Sequence, residues 1–450
     1  MITIKNIAAC AGLVCAAGTF YAQNALAALP IQHWTQASGA QVYLVESPVI
    51  PMLDVQIDFD AGSRRDPAAQ AGLASATASL ATQGVRAVGG LPALDENALG
   101  EAWADLGASF DAGAGNDRMS FSLRTLTDPS LLDRAVDLAA RQIGEPSFPA
   151  DIWARDRERT NASLKEAANR PGFQAGRAYA PAVYGSHPYG FETTAATLAR
   201  IEVADMQALY GRSILPCRAK VSLVGAVTRS QADSLVQRLL ARLPQTACAT
   251  VPALPSVPEV QPLARASDQR IAFESAQAHV LIGQPGVTRR DPDFFPLIVG
   301  NYILGGGGFV SRLTTEVREL RGLSYSVSSD FAPGIHAGAF TVSLQTRPDQ
   351  AREAVTVVRQ VLADFVAAGP TEIELKAAKS NLIGGFALRI DSNQKLLGNV
   401  ANIAWNGLPL DYLDTWTQRV AQVSTADIRS AFQRVLQPTT MATVVVGGSP

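Results

Sequence analysis

Apolar and polar positions alternate most cleanly near the start of the chain, where Leu53, Val55, Ile57 and Phe59 are interleaved with Asp54, Gln56, Asp58 and Asp60. A period of two predicts a strand with one buried face. The pattern then changes: Ala71 to Ala81 is small, alanine-rich and helix-compatible, with Gly84 as its stop. Leu313, Val317 and Leu320 recur at helical spacing behind Ser311, a residue suited to an N-cap. Hairpin-like strands mixed with long helices predict an α+β fold rather than a doubly wound parallel sheet.

The chain also repeats itself. Ala204-Asp205, Tyr210, Arg212, Pro216 and Gly225 are matched by Ala426-Asp427, Phe432, Arg434, Pro438 and Gly447 at one constant offset of 222. Both copies run from a helical pattern through a proline into an alternating strand ending in glycine. A second echo pairs Phe121-Ser122-Leu123-Arg124-Thr125 with Val342-Ser343-Leu344-Gln345-Thr346. Two copies are too few for a solenoid and predict two homologous halves. Between them lies a proline-rich stretch from Pro244 to Pro262, with Pro252, Pro255 and Pro258 inside it. Prolines at that density favour extended, semi-rigid chain. The expected organisation is residues 1–27 as an address segment, 28–250 as the first half, 251–268 as a linker and 269–450 as the second half.

The address is a secretory signal. One cation, Lys5, precedes an uncharged apolar stretch from Ile7 to Tyr21, and Ala25-Leu26-Ala27 offers an A-x-A cleavage site. Ile7-Ala8-Ala9-Cys10 has lipobox composition but leaves no room for an apolar region before it. No later stretch reaches the length of a membrane span. A transit peptide would be rich in arginine, and the first thirty residues contain none. The expected location is periplasmic or secreted, in a bacterial setting. Cys217 and Cys248 are the two cysteines left after cleavage, and an even pair in an oxidising compartment predicts a disulfide.

Hydrophobic residues at 47% of 450 fit a folded globular chain and exclude disorder as its main state. Lys+Arg 38 against Asp+Glu 40 gives net −2, with no basic stripe, which argues against a nucleic-acid binder. Common chemistries are missing too. There is no G-x-S-x-G elbow, no P-loop, and no cysteine with a nearby histidine; nor does Ser75, Thr77 or Ser79 have a visible base to activate it. The four histidines, His33, His187, His279 and His336, are all more than fifty residues apart, so no two-histidine zinc motif exists.

One block is nevertheless distinctive. Leu304-Gly305-Gly306-Gly307, Ser311-Arg312-Leu313 and the run from Glu316 to Val327 resemble the second-half signature of the pitrilysin, insulysin and processing-peptidase family, the inverted-zinc-motif metallopeptidases. Ala61-Gly62-Ser63-Arg64, the Tyr184–Gly190 loop around His187, and Val221–Gly225 add to the likeness, which covers nearly the whole mature chain. The resemblance implies two homologous halves, each a mainly antiparallel sheet with helices, forming a clamshell-like chamber. It also implies zinc ligands at Ser75 and Ser79, a general base at Ala78 and a third ligand at Glu158 or Glu166. A serine hydroxyl is a poor zinc ligand and alanine takes no proton, so this chain is expected to hold no metal. What the resemblance retains is Arg318 and Tyr325, seven residues apart, as donors to a peptide carbonyl and to the oxyanion formed on hydrolysis. Phe110 and Ala112 mark a strand to whose edge a peptide adds, Gly306 and Gly307 are further substrate-binding candidates, and His187 is structural. The expectation is a zinc-less, substrate-binding subunit of a heterodimeric metalloendopeptidase, with zinc and the missing catalytic groups in a homologous partner. The isolated chain is then inactive. The alternative is a peptide-binding scaffold of the same fold.

Overall fold

A computed structural model describes residues 30–448, so the proposed signal segment lies outside the described residues. The described residues build two large sheets and one short two-stranded ribbon, with helices. The first sheet contains β1 (Gln32–Thr35), β2 (Gln41–Glu46), β3 (Met52–Phe59), β4 (Ser109–Ala114), β5 (Met119–Leu126) and β6 (Lys220–Gly225), ordered β1-β2-β6-β3-β5-β4. The second contains β7 (Ser267–Ile271), β8 (Ala278–Pro285), β9 (Ser326–Phe331), β10 (Ala339–Thr346) and β11 (Ala442–Val446), ordered β9-β10-β8-β11-β7. Each sheet is antiparallel apart from one parallel pair, β2 with β6 and β11 with β7. The repeated segments occupy equivalent places: β5 and β10 carry one echo, β6 and β11 the other. The fold is α+β in two homologous halves.

Five helices position the seams and the candidate surfaces: α1 (Leu73–Ala81), α2 (Ala150–Ala167), α3 (Pro171–Tyr184), α4 (Phe294–Asn301) and α5 (Asn393–Asn406). Helices α3 and α5 correspond at the repeat offset, and the halves exchange them. Helix α3, from the first half, packs on β8 and β11 of the second sheet, while α5, from the second half, packs on β6 and β3 of the first. Under α3 the seam is apolar, with Ala175, Tyr179 and Val183 against Ala442, Val444 and Val446.

Under α5 it is charged. The apolar side of β3 enters the first core as expected, with Val55, Ile57 and Phe59 at 2% exposure or less. Its polar side is buried as well, which corrects the one-face reading: Asp58 is fully buried and Asp54 nearly so. Asp58 accepts hydrogen bonds from Arg118 at 2.9 Å and from the Ser120 hydroxyl at 2.5 Å. Lys220 Nζ donates to the Ala404 and Trp405 carbonyls at 2.8 and 3.0 Å, capping the negative end of α5. Burial pushes the Asp58 carboxyl up against these partners, and burial pulls the Lys220 ammonium down.

The linker is extended and gripped along its length. Arg218 donates to the Pro252 carbonyl and Arg65 to the Pro255 carbonyl, three residues on, the repeat of a polyproline helix. Val260 is buried at its far end. The expected cross-link at its start is absent. Cys217 and Cys248 are free thiols lying together against Gly39, and the Cys248 thiol donates to the Ser38 carbonyl at 3.2 Å instead of bonding to sulfur.

Candidate functional site

Helix α1 begins where the Asp66 carboxylate accepts from the backbone N–H groups of Gly72 and Ala74, at 2.9 and 3.0 Å. Burial pushes that carboxyl up to about 6, opposed by those amides and by Arg212. Ser75 and Ser79 share one exposed helical face, four residues apart, while Ala78 is buried. Helix α2 lies against α1. Its two candidate carboxylates, Glu158 and Glu166, are both exposed; the carboxylate turned inward is Asp156, at 7% exposure beside Arg155 and Arg159. Among the described residues no group of three or more His, Cys, Asp or Glu side chains is gathered in a way that would hold a metal ion. Two hydroxyls and a methyl group do not fit zinc, and no catalytic step is assigned to α1.

The second candidate face lies beyond the glycine run. After α4 the chain widens into a π-turn at Tyr302–Gly306, and a second occupies Thr314–Glu319. Such turns add a residue to the helical repeat and occur often at functional sites. The second one corrects the helical spacing read from the sequence: Leu313 and Val317 are fully buried, but Leu320 is 66% exposed. The helix ends before Gly322, whose φ of 62° turns the chain. The following loop carries Tyr325 back over Arg318, so the guanidinium carbon lies 4.8 Å from the Tyr325 ring. It also lies 4.6 Å from the ring of Phe309, a residue the sequence pattern did not single out. The available signal was an aromatic residue directly after a glycine run. Arg318 has no hydrogen-bond or ion-pair acceptor among the described residues, so its planar fork of donors is free. Tyr325 is 81% exposed and Phe309 68%.

Gly307 has no room for a side chain, because a Cβ there would lie 2.6 Å from the Tyr302 carbonyl oxygen. Gly306 is exposed and sits against Asn301. Strand β4 is the outermost strand of its sheet. Phe110 and Ala112 point inward, with Phe110 stacked 5.6 Å from Trp103, so those side chains belong to the core side and the strand's free feature is its outer backbone edge. The equivalent edge strand of the second sheet, β9, is partly capped: Asn301 donates to the Ser329 carbonyl at 3.0 Å. The structure thus brings Arg318, Tyr325 and Phe309 together, with no contact from this trio to Ser75 or Ser79 among the hydrogen bonds, ion pairs and ring contacts.

The family profile described as Peptidase M16 inactive domain matches residues 200–382. A crystal structure of a peptidase M16 inactive domain from Pseudomonas fluorescens superposes with a TM-score of 0.87 at 32% sequence identity, covering 94% of this chain and 98% of that one. The chain belongs to the M16 peptidase family. An uncharacterised zinc protease of Streptomyces coelicolor is 32% identical over 191 residues, 40% of this chain and 41% of that protein. The Helicobacter pylori protein named non-peptidase homolog YmxG is 23% identical over 409 residues, 89% of this chain and 90% of that one. The sequence of this M16 chain contains no His-x-x-Glu-His.

Proposed function

We propose that this chain is the zinc-less, substrate-binding subunit of a heterodimeric M16 metalloendopeptidase, exported by its N-terminal signal and paired with a homologue that carries His-x-x-Glu-His. The observation that carries the reading is the Arg318–Tyr325 pair, held face to ring at 4.8 Å on an exposed surface, with no acceptor for the guanidinium among the described residues. A cradle of that kind is maintained at some risk of nonspecific association, since Phe309, Val310, Leu320 and Tyr325 are all exposed beside it. Its chemistry is donation. The guanidinium and the Tyr325 hydroxyl donate to a peptide carbonyl and to the oxygen that becomes negative during hydrolysis. The open outer edge of β4 supplies backbone N–H and C=O groups for an extended peptide. The zinc that activates water is supplied by the partner.

A peptide-binding scaffold without hydrolysis is the second reading, favoured by the open β4 edge, which needs no metal to bind a strand. Mixing decides between them. Peptidase activity and bound zinc are measured on this chain alone and with its zinc-motif homologue. Activity appearing only in the mixture supports the subunit; a tight complex without hydrolysis supports the scaffold. In an active mixture, Arg318→Ala lowers turnover by about 10²–10³ with assembly intact, the effect of losing one oxyanion donor. Unchanged turnover in the assembled variant removes Arg318 from the mechanism.

A further inference from the structure

One face of the second sheet is only half covered. Helix α3 packs on β8 and β11, and toward the β9 edge the same face is polar and open. Strand pairing sets Ser326 of β9, Gln345 of β10, His279 of β8 and Val446 of β11 in one row across the sheet. Residues paired across strands share a face, so all four lie on the α3 side. Val446 is buried with α3, Ser326 and Gln345 are exposed, and His279 stands half-buried at the boundary.

A cavity of about 90 Å³ opens at that boundary, walled by His279, Ser326, Ser343 and Gln345 on the sheet and by Gly172 in the first turn of α3. Glycine weakens a helix, and what it gives here is room: a Cβ at Gly172 would lie 3.0 Å from His279 Nδ1 and 3.1 Å from its Cε1. The polar groups of the walls are unengaged. Among the described residues no hydrogen bond reaches the side chains of His279, Gln345 or Ser326, and the Ser343 hydroxyl meets only that of Ser328, at 3.2 Å. Burial pulls the His279 pKa below its ordinary value, so near neutral pH the ring is uncharged, with one donor and one acceptor. Such a lining selects a group that both donates and accepts, rather than an ion. The volume holds about three waters at roughly 30 Å³ each, the size of a side chain of three or four heavy atoms. Ser326 directly follows Tyr325 in the chain, and His279 lies two strand spacings from Ser326, about 10 Å. An extended peptide advances about 3.4 Å per residue. A peptide held by one carbonyl at Arg318 and Tyr325 therefore reaches the cavity with a side chain two or three residues away.

We propose that this cavity is a specificity pocket for a threonine- or serine-like side chain of the bound peptide, with His279 as its hydrogen-bonding partner. The proposal rests on the reading of Arg318 and Tyr325 as a peptide cradle. In the pocket the substrate hydroxyl donates to the imidazole acceptor and accepts from the Gln345 carboxamide or a serine hydroxyl. Valine has the shape of threonine but can do neither, and it displaces water from the imidazole and the carboxamide without replacing its hydrogen bonds.

The test uses fluorescein-labelled decapeptides of alanine and lysine that carry one threonine, or one valine in its place, at successive positions. In the active mixture of this chain with its zinc-motif homologue, kcat/KM favours threonine over valine about tenfold at one position, the effect of a single net hydrogen bond. His279→Leu brings that ratio to near one, and His279→Gln, which keeps a donor and an acceptor, retains most of it. Arg318→Ala lowers turnover on both peptides and leaves the ratio in place, because it damages the cradle and not the cavity. A scan with no threonine preference, or a preference that survives His279→Leu, overturns the pocket and leaves the subunit reading standing. The wild-type scan needs no variant, so a variant that fails to fold does not shield the proposal. If the mixture is inactive the subunit reading fails, and fluorescence anisotropy of the same peptides on this full chain alone decides. Tighter binding of a threonine peptide, lost in His279→Leu, supports the pocket; equal or absent binding of the two sets refutes it.

Discussion

Beneath α5 the first sheet presents Asp54, Asp58, Arg118 and Lys220; beneath α3 the second sheet presents Ala442, Val444 and Val446. The two helices are equivalent, the two sheets are equivalent, and the exchange is reciprocal. Only the chemistry differs. The duplication therefore preserved where each helix sits while leaving each seam free to find its own means of attachment. A charged seam gives direction, since each donor needs its acceptor in place. An apolar seam gives adhesion, and its Tyr179 supplies most of its specificity by hydrogen-bonding to Phe340 O and Thr341 Oγ1 at 3.2 and 2.8 Å.

The sharpest way to break this contrast is Asp58→Ala. It leaves Arg118 and Lys220 without the buried carboxylate that balances them and is expected to destabilise by about 3–5 kcal/mol in denaturant unfolding. A loss under about 1 kcal/mol would mean that α5 is held by its apolar residues, Leu397 and Val400, and that the charges are incidental. Tyr179→Phe on the other seam removes one hydroxyl from an otherwise apolar contact and should cost roughly 1 kcal/mol in the same assay. An effect as large as that of Asp58→Ala would erase the distinction. The smallest effect calibrates the comparison with an ion pair nearer the surface. Glu374 receives two hydrogen bonds from Arg312, at 2.6 and 2.7 Å. Burial raises its pKa, but Arg312 and the Thr371 amide and hydroxyl outweigh that and bring it down to about 2. A depressed carboxyl stabilises above the ordinary carboxylate range and loses that contribution as pH falls toward 2. After solvent screening, Glu374→Gln should cost about 0.5 kcal/mol near neutral pH and nothing at strongly acid pH, read from unfolding midpoints under the two conditions. A pH-independent difference would assign the effect to lost helix capping.

What the sequence shows of this architecture is what local pattern can encode. The alternation at 53–59, the alanine-rich helix ending short of Gly84, and the 222-residue echo all depend on neighbours or on self-comparison, and each marks a real element. The Arg318–Tyr325 spacing is equally legible as a resemblance, and Gly322 is a visible reason for the loop between them. The polar face of β3 reads as exposed because its cover, α5, lies more than three hundred residues away. Leu320 reads as buried because a π-turn shifts the helical face without any composition signature. Phe309 and the cavity beside His279 are invisible for the same reason as α5: each depends on a partner that periodicity does not report. The two cysteines illustrate the converse, since parity and compartment pointed to a bond that their geometry, as neighbouring thiols, does not contain.

The helix exchange has a consequence for the order in which the molecule is made. Strand β6 completes the first sheet long before α5 leaves the ribosome, so that sheet waits on the order of ten to thirty seconds for its cover at ordinary translation rates. Throughout that interval the surface it shows to water is the one bearing Asp54, Asp58, Arg118 and Lys220, which water solvates well. The second sheet never waits, because α3 precedes it in the chain, and its Ala442, Val444 and Val446 find their cover already present. The nascent chain exposes its charged seam early and its apolar seam only when a partner stands ready.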